Sequence, residues 1–283
     1  MVSHRPSLVG AHLSVAGGLP RCLPRVDEVG AEVVQLFVAN PRAWATPATE
    51  ARADDAFRAS CAERAIPLFV HAPYLINFGS PTAETLRRSA EALEFSLRRG
   101  AAIGAAGVVM HAGSAVLGNG WEIAMQQVRE QVLPVLDTVT DGPMLLIEPT
   151  AGGGGALASD ADSLAAYFDA LGEDERIGVC LDTCHLLAAG HDLSTVASFA
   201  AALRAYGRAA GTHQIGLVHV NDSRDPVGSK RDRHAALGTG TIGSEPFAAL
   251  FRSAVTRGVP LVVESADAAH LSDISILKEL RAT

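Results

Sequence analysis

Eight short runs of β-branched and Leu-rich residues punctuate the chain, and their spacing constrains the fold more than any other feature. They occupy 8–12, 33–38, 68–71, 108–111, 144–148, 177–182, 215–221 and 261–264. Each is nearly continuous in apolar character, as a strand covered on both faces must be. The longer segments between them are rich in Ala, Leu, Glu and Arg. In 82–100, Leu86, Ala90, Leu93 and Leu97 recur at steps of three and four, the period of a helix; 121–140 has similar composition. Eight strands alternating with helices predict a parallel (β/α)8 TIM barrel, an α/β fold. No Pro/Ser-rich linker or shift in composition divides the chain, so 1–283 is expected to form a single domain.

Seven of the eight runs stop on a His, Asp or Glu or carry one two residues before their end: His12, His71, His111, Glu148, Asp182, His219 and Glu264. A single such residue is ordinarily a solvated loop residue or a helix cap. In a barrel, however, these positions are the carboxyl ends of the strands and converge on one mouth. Crowded carboxylates repel and crowded imidazoles are desolvated, and divalent cations relieve both. Two local spacings point the same way: Asp182 and His185 in LDTCH, and Asp232 and His234 in KRDRH. An N/O donor set with several carboxylates suits Zn2+ or Mn2+, and the ligands are too many for one ion. Cys184 lies among them but reads as a buried thiol, since a free Cys usually packs as a small apolar residue.

Other features bear on partners. The formal net charge of −8 argues against nucleic acid at first sight. Four Cys, at 22, 61, 180 and 184, are too few for a disulfide scaffold and fit a reducing compartment. The uncharged stretch 100–121 is mostly Ala and Gly and carries His111, Ser114 and Asn119, so no membrane span is expected. Arg5 followed by an apolar run hints at a signal peptide, but His12 and Ser14 interrupt it; a cytoplasmic protein is expected. The glycine-rich segments 152–155 and 238–243 fit no nucleotide fingerprint and read as rim loops, with backbone N–H groups that a phosphate could use. Segment 223–234 carries Arg224, Lys230, Arg231 and Arg233 against Asp225 and Asp232; near metals such cations, Arg233 among them, can grip phosphates. Arg42 and Trp44, with Tyr74 and Leu75, place apolar and aromatic groups on the same rim, as packing residues or as wedges into a stacked duplex.

The stretches GAHLSVAGGL (10–19), HAPYLINFG (71–79), MHAGS (110–114), IEPTAGGGG (147–155), VCLDTCHLLAAGHDL (179–193), HVNDS (219–223) and GSKRDRHAALGTGTIG (228–243) together resemble the endonuclease IV type of apurinic/apyrimidinic (AP) endonuclease, over about 8–265. The resemblance implies a DNA-repair enzyme with three divalent ions, usually zinc. It would cut 5′ of an abasic site to leave a 3′-hydroxyl, and also clear blocked 3′ ends, by attack of a metal-activated hydroxide. Carried over, one ion takes His71, His111 and a bridging Glu148; a second takes Glu148, Asp182, His219 and Glu264; the third takes His185, Asp232 and His234. Glu148 and Glu264 would also orient or deprotonate the water, and Arg42, Tyr74 and Leu75 would penetrate the DNA. Three ions would bring the net charge from −8 to about −2, with the positive charge at the mouth. The implied partner is double-stranded DNA carrying abasic sites or 3′-blocked ends, with no obligate protein partner. Pro149 and Ala112 depart from the family's usual Asn and frequent Pro, and Pro149, which removes a backbone N–H donor, bears on support for Glu148. The alternative is a metal-dependent sugar isomerase or epimerase on the same barrel, and a non-catalytic DNA-damage binding protein is a further one.

Overall fold

A computed structural model describes residues 6–116 and 119–283; Arg5 lies outside them. Eight parallel strands close a barrel: β1 (Val9–His12), β2 (Val34–Phe37), β3 (Leu68–His71), β4 (Gly107–His111), β5 (Met144–Glu148), β6 (Ile177–Asp182), β7 (Gln214–His219) and β10 (Leu261–Val263). Between β7 and β10 a small antiparallel hairpin pairs β8 (Asp222–Ser223) with β9 (His234–Ala235). Around the barrel lie α1 (Cys22–Val29), α2 (Ala51–Glu63), α3 (Ala83–Ile103), α4 (Trp121–Asp137), α5 (Ala161–Leu171), α6 (Thr183–Ala189), α7 (Val196–Ala209), α8 (Ala248–Arg252) and α9 (His270–Ala282). Strand order runs β1-β10-β7-β6-β5-β4-β3-β2, and β2 returns to β1. Among the described residues, no helix is long and apolar enough to cross a membrane.

Two apolar layers hold this together. The larger packs the helices against the outer faces of the strands. The smaller fills the barrel itself with Phe69, Val109, Leu146, Cys180, Leu217 and Val262, one each from β3 to β7 and β10, and with Val33 immediately before β2. Leu146 spreads across the interior, and a Cβ at Gly178 or Gly216 would lie 3.0 Å or 2.8 Å from its Cδ2, so glycine at both flanking positions leaves room for it. Side chains on a strand alternate between faces, so the residue two positions on from each layer member points into the barrel again, one step nearer the mouth. Those residues are Gln35, His71, His111, Glu148, Asp182, His219 and Glu264. The polar site is thus the next layer of the barrel's own interior.

The element boundaries differ from the apolar runs at two places that matter. β7 ends at His219, not Asn221, because Asn221 leaves the ladder: its N–H donates to Thr183 Oγ1 (2.8 Å) and its carbonyl accepts from the same hydroxyl (2.7 Å). β10 ends at Val263, and the Glu264 N–H donates instead to Asn221 Oδ1 (2.9 Å). The helix expected over 82–100 continues to Ile103, where Gly104 takes the left-handed conformation that closes it (φ 77°).

Candidate metal centre

Strand register sets the candidate ligands side by side. His111 is paired with Glu148 across β4 and β5, and Asp182 with His219 across β6 and β7. Glu148, with its side chain 1% exposed, stands at the centre. Its Oε2 lies 3.4 Å from Nε2 of His71 and 3.4 Å from Nε2 of His111. Its Oε1 lies 3.2 Å from Nδ1 of His185 and 3.3 Å from Nδ1 of His219. His219 Nδ1 is also 3.2 Å from Glu264 Oε2 and 3.9 Å from Asp182 Oδ2. Asp182 caps α6, accepting from the His185 N–H (2.8 Å), which brings His185 in over the mouth. The hairpin supplies the last group: Asp232 lies 3.2 Å from His185 Nε2 and 2.9 Å from His234 Nε2.

Three of these imidazoles have one nitrogen committed to a carbonyl, a group that can only accept. His71 Nδ1 donates to the Ala72 carbonyl (2.7 Å), and His185 Nδ1 to the Pro149 carbonyl (3.0 Å). His219 Nε2 donates to Gln35 Oε1 (2.9 Å). In the neutral ring the other nitrogen then offers a lone pair toward a carboxylate: His71 to Glu148, His185 to Asp232, His219 to Glu148 and Glu264. Separations of 3.2–3.4 Å between these atoms are long for a charged hydrogen bond, which favours about 2.7–2.9 Å. They match the edge of a tetrahedron built on zinc bonds of about 2.0–2.1 Å, roughly 3.3–3.4 Å. Glu148 Oε2 and His234 Nε2 are buried with no hydrogen-bond partner. Donor atoms of Asp182, His219 and Glu264 lie within 4.8 Å of one another, as do those of His185, Asp232 and His234. The residues present fit divalent cations.

Without cations, protons must balance the carboxylates. Burial opposes charge on His185, yet Asp182, Asp232 and Glu148 hold its imidazole well above the ordinary range. Burial likewise opposes charge on His219, but Cys180, Glu264 and Glu148 overrule it. His234 is carried up to about 9 by Asp232 and Asp182, again against burial. His111 goes the other way, pushed down to about 4 chiefly by burial. Burial pushes the Cys184 thiol up to about 12, in keeping with a packed residue, although its sulfur shares a 4.8 Å cluster with Asp182 and His234.

Seven of the nine candidate ligands, all but Asp182 and His219, line a cavity of about 260 Å³, and Tyr74 forms part of its wall. Tyr74 is 46% exposed and stands edge-on to His71, ring centroids 5.3 Å apart, with His111 at 5.5 Å. Its N–H donates to the Pro41 carbonyl (3.1 Å), which ties the loop after β3 to the loop after β2, where the exposed Arg42 sits. Leu75 is half-buried beside them. Arg233 is exposed but committed: its guanidinium grips Asp225 with two nitrogens.

The 238–243 loop cradles an anion, but that anion belongs to the protein. Asp222 Oδ1 accepts from the N–H groups of Ser223 (2.8 Å) and Ile242 (2.9 Å), and Oδ2 from Gly238 (3.1 Å), Gly240 (2.9 Å) and Gly243 (3.3 Å). A Cβ at Gly240 would meet Asp222 Oδ1 at 2.4 Å, so the wrap requires glycine there. This replaces the expectation of a free rim loop or phosphate cradle with a fixed anchor for the hairpin. Pro149, expected to matter through its missing N–H, acts through its carbonyl on His185.

Gln35, Asn221 and Asp222 are fully buried in or beside the site, and none was singled out from the sequence. Gln35 had a signal: it is the one polar residue in the run 33–38, two positions after Val33, and fills the place the other strands give to His, Asp or Glu.

Residues 23–280 match the family described as xylose isomerase-like TIM barrel. The chain is 50% identical over 278 residues to a probable endonuclease 4 of Streptomyces coelicolor, spanning 96% of this chain and 95% of that one. It is 35% identical over 260 residues to a probable endonuclease 4 of Chlorobium phaeobacteroides, 91% of each chain. Among solved structures, endonuclease IV of Thermus thermophilus superposes with a TM-score of 0.83 at 32% identity, over 96% of this chain and 99% of that one. A D-tagatose 3-epimerase-like protein shares the fold, with a TM-score of 0.72 at 15% identity over 96% of each chain.

Proposed function

The chain belongs to the endonuclease 4 family, and from that premise we propose that this metal-dependent DNA-repair nuclease hydrolyses the phosphodiester 5′ of an abasic site in duplex DNA, leaving a 3′-hydroxyl, and removes blocking groups from 3′ ends. Three divalent ions, zinc first and Mn2+ as a substitute, are assigned to His71, His111 and Glu148; to Glu148, Asp182, His219 and Glu264; and to His185, Asp232 and His234. The observation that carries this reading is the ring of imidazoles whose outer nitrogens are committed to carbonyls while their inner nitrogens face Glu148, Glu264 and Asp232. When bound, the ions supply Lewis acidity, which offsets charge on the phosphate and acidifies water.

The protein's own groups divide the remaining work. Glu148 is 1% exposed with both oxygens facing imidazoles, so its role is to hold the site together and orient what enters. Glu264 is 12% exposed, the more accessible of the two carboxylates, and is the group placed to take a proton from the attacking water. Tyr74, Leu75 and Arg42 form the wedge that opens the duplex at the lesion, since a phosphodiester inside stacked DNA cannot reach the floor of the mouth. Arg233 serves as a phosphate contact only through the face of its guanidinium that Asp225 leaves free. The proposed place of work is the cytoplasm, with no obligate protein partner.

The shared barrel leaves a sugar epimerase as the second reading by fold alone, but the specific sequence likeness is to endonuclease 4. The deciding experiment incubates purified protein with a duplex carrying one abasic site, with chelator and with zinc restored, alongside elemental analysis. Expected are chelator-sensitive incision 5′ of the site and about three ions per chain. No incision under any metal, or a stable count of one ion in active protein, overturns the reading.

A further inference from the structure

Gln35 is the only polar side chain in β2 and is 0% exposed, yet every hydrogen-bonding group of its amide is used. Its orientation is fixed by Glu264: a carboxylate accepts only, so the Oε1 it presents at 2.8 Å must face the Gln35 NH2. The second proton of that NH2 goes to His12 Nδ1 (2.9 Å). Gln35 Oε1 therefore points at His219 Nε2 (2.9 Å) and can only accept from it. His219 then has its proton on Nε2, and Nδ1 is left to face Glu148, Glu264 and Asp182. One buried amide thus fixes two of the four groups assigned to the second ion.

The rest of that set is held in the same way from the other side. Asn221 donates to Asp182 Oδ2 (2.6 Å) and to Glu264 Oε2 (3.2 Å). Glu264 is consequently gripped at Oε1 by Gln35 and at Oε2 by Asn221, and its backbone N–H is anchored on Asn221 as well. One imidazole in each of the other two sets uses a backbone carbonyl for this purpose, His71 that of Ala72 and His185 that of Pro149. A carbonyl of the main chain cannot be removed by substitution, whereas Gln35 can.

We propose that Gln35 is the positioning residue of the second metal site, selecting the His219 nitrogen that faces the ion and aiming Glu264 at it. The inference rests on the metal-site reading above. If it holds, Gln35→Met, which keeps the shape and removes the bonds to His219, Glu264 and His12, weakens one zinc ion by on the order of 10- to 100-fold in chelator competition and leaves the others unchanged. The spectroscopic signature is the imidazole N–H resonance of His219 in zinc-loaded protein: sharp and downfield in the parent, shifted upfield or lost to exchange in Gln35→Met. Gln35→Glu keeps an acceptor for that N–H and should retain the resonance further downfield, because the bond becomes charge-assisted. This second variant carries the test if Gln35→Met does not fold. Unchanged zinc affinities and an unchanged resonance in Gln35→Met, or loss of the resonance in Gln35→Glu, overturn the inference. Failure of the parent protein to bind zinc would instead overturn the metal-site reading itself.

Discussion

Replacing Glu148 by Gln tests the centre of the site with the smallest possible change of shape. The carboxylate faces four imidazoles, through Oε2 to His71 and His111 and through Oε1 to His185 and His219, all at 3.2–3.4 Å. An amide of the same volume offers one oxygen and one NH2, so at least one of the two ion sets it bridges loses its ligand, and both lose its charge. Removing one partner from a buried charged cluster costs about 3–5 kcal/mol. At about 1.36 kcal/mol per tenfold in rate, incision should fall by roughly 10²- to 10⁴-fold. The fold should survive, because the new NH2 can donate to the lone pair of His71 or His111. The assay is single-turnover nicking of a duplex with one abasic site, with zinc per chain measured on the same sample and melting followed in chelator. Expected are the rate loss, a fall of at least one zinc, and a metal-free transition that stays cooperative but is lowered, because residue 148 no longer carries the charge facing His185 and His219. Incision within tenfold of the parent at full zinc content would show that Glu148 is not the bridge.

A pH effect follows from His234, whose folded pKa of about 9 lies above the unfolded value of about 6.5. Its contribution is fully present below pH 6.5 and is lost as pH rises through 9, so chelated protein should melt progressively lower across that window while zinc-loaded protein does not. A metal-free melting temperature that is flat or rising from pH 6.5 to 9.5 contradicts this. Tyr74→Ala, and the double variant Arg42→Ala/Leu75→Ala, should lose much more incision at an internal abasic site than removal of a 3′-blocking group from a frayed end, because only the former needs unstacking. Equal losses on both substrates return these residues to packing. Asp222→Asn takes the charge out of a cradle of five N–H donors and should cost about 3–5 kcal/mol. For a chain of this size that is about 6–20 °C in Tm by calorimetry, and the ion on Asp232 and His234 should be lost first. A change under 2 °C would leave the cradle without structural weight.

Much of this site can be read from the sequence because its ligands obey the strand period. An apolar run ending in His, Asp or Glu two residues beyond a barrel-filling side chain is visible in one dimension, as at Phe69 and His71 or Leu146 and Glu148. Asp182 with His185, and Asp232 with His234, are legible for the same local reason. The supporting groups are not. Gln35 and Asn221 carry no charge and sit in or beside apolar runs, and their value lies wholly in which acceptors the closed barrel brings to them. Pro149 illustrates the limit: its residue type directs attention to the absent N–H, whereas the group in use is a carbonyl that any residue would supply. Arg233 shows a related limit: its charge attracts a functional reading, while its pairing with Asp225 is invisible in one dimension. The glycines of 238–243 signal an anion without saying whose.

The order of the strands has a consequence for the chain as it is being made. His71, His111 and Glu148 come from three successive strands, β3 to β5, so their set is complete once residue 148 has emerged. The set that adds Glu264 closes only when β10 slots between β7 and β1. The two glutamates are 264 − 148 = 116 residues apart, a delay on the order of 6–23 s at typical synthesis rates of about 5–20 residues/s. On the assignment proposed above, a nascent chain in that interval carries the first set but lacks the second. Barrel closure is therefore the step that completes the proposed centre.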